Sequence, residues 1–149
     1  MNLLKKLLAI TILLSACSPN DELRTKAIEE ILAVDKAASK TAAEIGFNHA
    51  ILHFAGDGFV KFNDGAYPII GKLAFAEKIL AQKDITTLTW EPVEAEASAS
   101  GDLGYSWGNW KFVRPDTTFY GNYFTAWKKN KNGSWGMVLD GGNNTPAPK

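Results

Sequence analysis

The two halves of this chain differ in composition, and the difference restricts the fold class. Residues 20–45 are rich in alanine, leucine, isoleucine, lysine and glutamate and contain no glycine or proline, which predicts one long helix that Gly46 ends. All five tryptophans lie in the second half, within segments of aromatic and β-branched residues that are typical of strands. We therefore predict an α+β domain in which helices precede a sheet.

Shorter elements are predicted between these two regions. Gly71 opens a third helix, whose apolar side is expected to carry Leu73, Ala76, Ile79 and Leu80. In chain order, the predicted elements are a helix at Phe47–Phe54, a turn at residues 55–58, strands at Phe59–Phe62 and Ala66–Ile70 around the turn Asn63-Asp64-Gly65, and a helix from Lys72 to about Lys83.

The second half predicts a four-stranded antiparallel meander. Asn132-Gly133 is its best hairpin signal, and Pro92 indicates a bulge, a bend or an edge in the first long strand. The domain is predicted over residues 22–144 with a disordered tail at 145–149, and loss of regular structure is expected from Gly141 onward. The four strands are predicted at Thr86–Ser98, Leu103–Val113, Phe119–Lys129 and Ser134–Leu139.

The first seventeen residues have the pattern of a bacterial lipoprotein signal. Lys5 and Lys6 precede an apolar run, Leu7–Leu14, that is too short to span a bilayer. The run ends in Leu14-Ser15-Ala16-Cys17, in which a cysteine follows small residues. The pattern predicts a lipidated cysteine; the alternative is an ordinary signal peptide followed by an incidental thiol.

Lipidation would place the chain at the bacterial cell envelope. We expect residues 1–16 to be removed as a signal peptide, Cys17 to carry the lipid that holds the protein on a membrane, and residues 17–21 to form a short tether. Ser18 stands where aspartate would favour retention at the inner membrane, so the outer membrane is the expected destination.

Charge and cysteine content exclude several classes of function. Once the two lysines of the signal are removed, acidic side chains outnumber basic ones by two, and such a chain is not expected to bind nucleic acid. The single cysteine excludes an internal disulfide. No phosphate-loop, nucleophile-elbow or dinucleotide fingerprint occurs, so no cofactor is expected. His49 and His53 are four residues apart on a predicted helix, a spacing that can chelate a metal ion. Without a third ligand, no metal site is expected.

The order of elements and several short phrases resemble the SnoaL-like, ketosteroid isomerase-like domains of the nuclear transport factor-like superfamily, and in particular a subgroup of lipidated bacterial proteins. The resemblance spans about residues 22–144 and implies a cone-shaped fold, in which three N-terminal helices pack on a curved, mostly antiparallel sheet. The phrases are Leu88-Thr89-Trp90-Glu91-Pro92, Ser100-Gly101-Asp102-Leu103-Gly104-Tyr105 and Gly133-Ser134-Trp135 with Asp140.

The same resemblance argues against one activity of the superfamily. It implies that an isomerase would have acidic residues at about the positions of Phe62 and Thr125, and neither side chain can take that role. Ketosteroid isomerase activity is therefore disfavoured. Asp64 lies near the first position but precedes a glycine and is typical of a turn.

Asp35 is the most unusual residue of the first helix, because it interrupts an apolar stripe that faces the predicted core. A carboxyl group there has to be hydrogen-bonded, paired or raised in pKa. It is either a structural acid bonded to a tryptophan N–H or tyrosine hydroxyl of the sheet, or a group that contacts a ligand or transfers a proton. Its expected partner is one of five aromatic side chains, which are also candidates to bind the ligand: Trp90, Tyr105, Trp107, Tyr123 and Trp127.

Two further residues are weaker candidates for the same interior. Asp140 is either turned inward by its alternation with Val138 or is a turn former before two glycines. His53 is either a pocket base or a buried structural histidine. The strand at Leu103–Val113 has aromatic residues on both faces, so one face is expected to pack on a second subunit in a homodimer.

Three hypotheses of function follow. The leading one is a membrane-anchored protein that binds a small, mainly apolar molecule in the cone. The second is an isomerase, cyclase or dehydratase in which Asp35 acts as acid or base. The third is an envelope protein-interaction module whose interior is filled by its own aromatic side chains.

Overall fold

A computed structural model describes residues 19–80 and 83–148. The signal peptide and Cys17 lie outside the described residues, so both stay predictions. The first helix, α1 (Pro19–Ile45), begins one residue before its predicted start and ends where predicted. Its buried stripe includes Ala27, Ile31 and Asp35. Within the described part of the chain, no helix combines the length and the apolar character needed to cross a membrane.

The elements after α1 are α2 (Phe47–Phe54), β1 (Ala55–Lys61), β2 (Ile69–Ile70) and α3 (Lys72–Ile79). The predicted turn at residues 55–58 is wrong, because β1 begins there and its backbone pairs with the strand that comes last in the sequence. The predicted return strand is reduced to two residues. α3 is shorter than predicted.

The buried face of α3 also differs from the prediction. Phe75 and Ile79 are buried, whereas Leu73 and Leu80 are each 82% exposed. A helix of only two turns can bury only a narrow stripe, and the ring of Phe75 directs that stripe by packing edge-on against Phe59 of β1.

The predicted antiparallel meander is confirmed. It consists of β3 (Leu88–Ala97), β4 (Leu103–Val113), β5 (Thr118–Lys129) and β6 (Trp135–Thr145). The complete sheet has the order β2-β1-β6-β5-β4-β3, and β1 and β6 are its one parallel pair in the described chain. The register of β3 shifts between Pro92 and Glu94, which confirms the bulge that proline indicated.

The last strand is longer than the sequence indicated. Disorder was expected from Gly141 onward, but residues 141–145 continue β6 and pair with β5 as far as Tyr120 and Thr145. Glycine has low strand propensity, but Gly141 and Gly142 lie directly opposite large residues of β5, Phe124 and Tyr123. Pairing along the whole of β5 therefore overrides local propensity.

The helices cover one face of the sheet, and the core lies between them. α1 packs along β3 and β4, while α2 and α3 pack near β6 and β1. Trp127, Phe59, Ile31, Ile51 and Met137 are the largest fully buried apolar side chains. Three helices on a curved, mostly antiparallel sheet form the predicted α+β architecture.

One glycine creates room for an aromatic side chain on the inner face. Gly121 of β5 lies opposite Trp110 of β4, and a Cβ added at Gly121 would lie 2.2 Å from the indole ring. The indole therefore lies across the glycine, and its Nε1 donates a hydrogen bond of 3.1 Å to the carbonyl of Asn122. This packing and the hydrogen bond fix the position of the Trp110 indole on the inner face.

Candidate ligand-binding cavity

A cavity of about 80 Å³ lies between α2 and the inner face of the sheet. Most of its wall is apolar or aromatic, and a lysine and an aspartate form its one charged part. The lining residues are Phe47, Ile51, Lys61, Leu88, Trp90, Trp110, Tyr123, Asp140, Gly141 and Gly142.

Asp35 lies behind this wall. Its carboxylate is fully buried and accepts hydrogen bonds from Trp90 Nε1 and from the Tyr123 hydroxyl, each at 2.7 Å. The expectation that a tryptophan or tyrosine of the sheet bonds Asp35 is confirmed. Both donors line the cavity and Asp35 does not, so its contacts are with the protein.

The neighbouring turn of α1 holds the backbone of the same tryptophan. Ser39 Oγ donates to the Trp90 carbonyl at 2.6 Å, and the Trp90 backbone N–H donates back to Ser39 Oγ at 3.0 Å. Trp90 is thus bonded to α1 through both its backbone and its indole. Its ring is also edge-on to Phe47 and Tyr123. These contacts leave the wall of the cavity little freedom to move.

Burial dominates the electrostatics of this cluster. Desolvation raises the pKa of Asp35, and hydrogen bonds from Ser106, Trp90 and Tyr123 oppose the rise. The pKa of Tyr123 is raised by its own burial and by the Asp35 carboxylate that it contacts. The phenol therefore stays protonated at neutral pH and donates to Asp35.

A second buried polar cluster lies at the cavity surface. The Lys61 ammonium donates to Asp140 Oδ2, and Thr125 Oγ1 donates to Asp140 Oδ1 at 2.9 Å. Lys61 is 8% exposed and Asp140 is 5% exposed. The ammonium also lies 5.3 Å from the centre of the Phe47 ring, a cation–π distance. This pair is the charged part of an otherwise apolar cavity.

Sequence reasoning missed Lys61 and undervalued Asp140. The alternation of Phe59 and Lys61 along β1 was the available signal, but lysine is almost never fully buried unless paired. The turn-forming role for Asp140 is wrong, because the residue lies within β6 and points inward. Thr125, where the resemblance placed an acid, instead bonds an acid from the neighbouring strand.

The structure does not bring four other candidates to the cavity. Tyr105 and Trp107 are on the outer face of β4, because side chains alternate and it is Ser106 and Trp110 that point inward. Trp127 is fully buried below the cavity and donates to Ser106 at 2.9 Å. His53 lines a separate, more polar cleft beside Asp57 and Lys72.

The histidine pair on α2 does not converge on a common point. His49 contacts Asp84 through Nδ1, and Asp84 also accepts the backbone N–H groups of Asn48, His49 and Ile85. These hydrogen bonds lower the pKa of Asp84 against the opposing effect of its burial. Among residues 19–80 and 83–148, no group of three or more His, Cys, Asp or Glu side chains could hold a metal ion.

Comparison with solved structures places this geometry in a known fold. A ketosteroid isomerase-like protein from Erwinia carotovora atroseptica matches with a TM-score of 0.61 and 18% identity over 79% of this chain and 95% of its own. An NTF2-like protein from Pseudomonas putida matches with a TM-score of 0.62 and 17% identity, over 80% of this chain and 87% of its own. This chain has the NTF2-like fold. The fold that the sequence resemblance implied is thereby confirmed, while membership of the superfamily and of its lipoprotein subgroup stays a prediction.

A third similar structure was solved with a bound small molecule. It is a Mycobacterium tuberculosis protein in complex with estradiol-17β-hemisuccinate, which matches with a TM-score of 0.53 and 16% identity over 76% of this chain and 92% of its own. No family model matches the sequence of the present NTF2-like chain, and no curated protein matches it. At these identities the likeness establishes the fold, and the residues of the cavity carry the functional argument.

We predict that Asp35→Asn and Asp35→Ala differ strongly in stability. Asparagine can accept from Trp90 and donate to the Tyr123 hydroxyl, so we expect a change within about 1 kcal/mol. Alanine leaves both buried donors without a partner and should lower the free energy of unfolding by about 2–4 kcal/mol. Urea unfolding of the two variants beside wild type measures the difference. Equal losses would contradict the hydrogen-bonding role.

The same variants should differ from wild type in how stability depends on pH. Because the pKa of Asp35 is raised on folding, the folded protein binds this proton more tightly than the unfolded chain. The stability that the wild-type protein gains from protonated Asp35 is therefore largest at low pH. It is lost as the pH rises from about 4, the usual pKa of an unfolded aspartate, through the raised pKa of Asp35 in the folded protein. Unfolding at several pH values should show wild type losing stability relative to Asp35→Asn as pH rises. A constant difference would refute the assignment.

Proposed function

We propose that this protein is a lipid-anchored binding protein of the cell envelope that holds a small, mainly apolar molecule in the cavity. The observation that carries the proposal is the lining of the cavity: most of its side chains are apolar or aromatic, and Lys61 and Asp140 are its one charged pair. Such a combination is typical of small-molecule sites.

The size of the cavity limits the ligand. At about 80 Å³ it is smaller than the roughly 150 Å³ of an engineered apolar cavity that holds benzene. It suits a compact molecule, or the end of a larger one whose remainder extends beyond the lining residues. The steroid derivative bound by the M. tuberculosis protein is larger than this volume as a whole.

The position of Asp35 supports binding over acid–base catalysis. An acid or base has to come within hydrogen-bond distance of the reacting atom, directly or through one water. Trp90 and Tyr123 stand between Asp35 and the cavity and use both carboxylate oxygens. Asp35 therefore acts as a positioning residue for the wall, and an enzymatic role for it has no supporting contact.

We predict that single-ring probes bind and that filling the cavity prevents binding. At 100 times Kd, phenol and cyclohexanone should each stabilise the folded protein by about 2.7 kcal/mol and thereby raise the melting temperature of the purified protein. Leu88→Trp replaces an aliphatic side chain of the lining with a larger indole and should remove the effect. Leu73→Trp, at a position of α3 that is 82% exposed and outside the cavity lining, should preserve it. If no probe stabilises the wild-type protein, the proposed binding function is contradicted.

The lipid anchor is tested separately. We predict that an alkyne fatty acid supplied to the bacterial host labels wild type and does not label Cys17→Ser, since the thiol carries the lipid. Ser18→Ala, with an unchanged cysteine, should be labelled and should remain with the membrane fraction. Wild type that is secreted without label would instead support an ordinary signal peptide.

We also propose that the outer sheet face pairs with a second copy of the chain. Leu103, Tyr105, Trp107 and Phe124 form an exposed apolar strip along β4 and β5, each between 37% and 49% exposed. The directly opposite residues Trp107 and Phe124 lie at its centre. A strip of this kind is self-complementary when two copies meet about a twofold axis.

We predict that sedimentation velocity in detergent solution finds wild type as a dimer. Trp107→Glu and Phe124→Glu should give monomers, because each places a desolvated charge in the contact. Tyr67→Glu is the matched control, since Tyr67 is 95% exposed in the loop between β1 and β2 and does not belong to the strip, and it should stay dimeric. A monomeric wild type would refute the pairing.

A further inference from the structure

The charged pair at the cavity surface determines what kind of polar group a ligand can carry. Three other side chains of the wall carry a polar group, and all three groups already donate to protein partners. Trp90 Nε1 and the Tyr123 hydroxyl donate to Asp35, and Trp110 Nε1 donates to the carbonyl of Asn122. Lys61 and Asp140 are therefore the side chains of the lining that a ligand can address.

The pair has spare donor capacity but no spare charge. An ammonium carries three donors, and Lys61 uses one of them on Asp140. Its positive charge is balanced by that same carboxylate, at a site where both side chains are at least nine-tenths buried. A ligand can thus receive a hydrogen bond from Lys61 without finding a net positive charge.

A ligand carboxylate would meet two buried acids and one cation. It would compete with Asp140 for the Lys61 ammonium, and it would lie in the field of Asp35 behind the wall. The fields of the two acids already overlap, since the charge of Asp140 adds to the rise in the pKa of Asp35. Lys61 and Asp140 are both buried, so the repulsion between the carboxylates is weakly screened by solvent.

We propose that the cavity selects an uncharged ligand with a single hydrogen-bond acceptor, such as an amide or hydroxyl oxygen bound by Lys61, and rejects the corresponding carboxylate. This inference rests on the proposed binding function and adds the chemical class of the ligand. Asp140 is the residue that enforces the selection, because its charge cancels that of Lys61.

The test uses benzamide and benzoate, which have nearly the same shape; benzamide is neutral and has two N–H donors, whereas benzoate is negatively charged and has none. Their Kd values are measured by NMR titration of the purified protein at neutral pH. Wild type should bind benzamide at least roughly tenfold more tightly than benzoate. Asp140→Asn removes the compensating charge while its amide oxygen can still accept from Thr125 or Lys61, so the preference should reverse toward benzoate.

Thr125→Val is the matched control, because it removes a neighbour of Asp140 and leaves both charges in place. Its preference for benzamide should persist. Equal or tighter binding of benzoate by wild type would overturn the selection while leaving the binding function intact, and so would an Asp140→Asn variant that binds and still prefers benzamide. Absence of binding for both probes in wild type and in Leu73→Trp would overturn the selection together with the binding function.

Discussion

The hydrogen bonds of Asp35 hold the interior of this protein together. One carboxylate on α1 connects two strands that are not adjacent in the sheet, through Trp90 of β3 and Tyr123 of β5. Because the donors are large aromatic side chains, the same bonds set the positions of two walls of the cavity. Burying the carboxylate has a free-energy cost, seen as a raised pKa, and the hydrogen bonds offset part of it. Burial of Asp35 thus lowers the stability of the fold locally, while its hydrogen bonds define the surface of the cavity.

The two buried acids are stabilised in different ways, and the difference separates their roles. Asp35 is held by neutral donors within the protein and does not line the cavity, whereas Asp140 pairs with a cation at the cavity surface. A buried ion pair adds little net stability, because desolvation of both partners opposes their attraction. Under the proposed binding function, the role of Lys61 and Asp140 is recognition of the ligand and not stability. Removing either one alone would leave an uncompensated charge in the interior.

Several features of the site could be predicted from local sequence and several could not. The 3.6-residue period of α1 placed Asp35 on the buried stripe, and the aromatic residues of the meander supplied its expected partners. Alternation also placed Tyr105 and Trp107 on one face of β4, but it could not say which face is covered by helices. That choice depends on the bulge after Pro92 and on the register with β5, both of which are set by pairing between distant residues. Lys61 was missed because the partner that permits its burial is 79 residues away.

By itself the sequence determined the order of the elements, the long first helix, the antiparallel meander and the inward direction of Asp35. These depend on composition and periodicity, which act over a few residues at a time. Only the tertiary structure decided that β6 continues through its glycines to Thr145, that Asp140 meets Lys61, and that the aromatic side chains leave a cavity of about 80 Å³ instead of filling it. Strand register and the summed volumes of side chains from distant segments produce those features, and no local pattern encodes either.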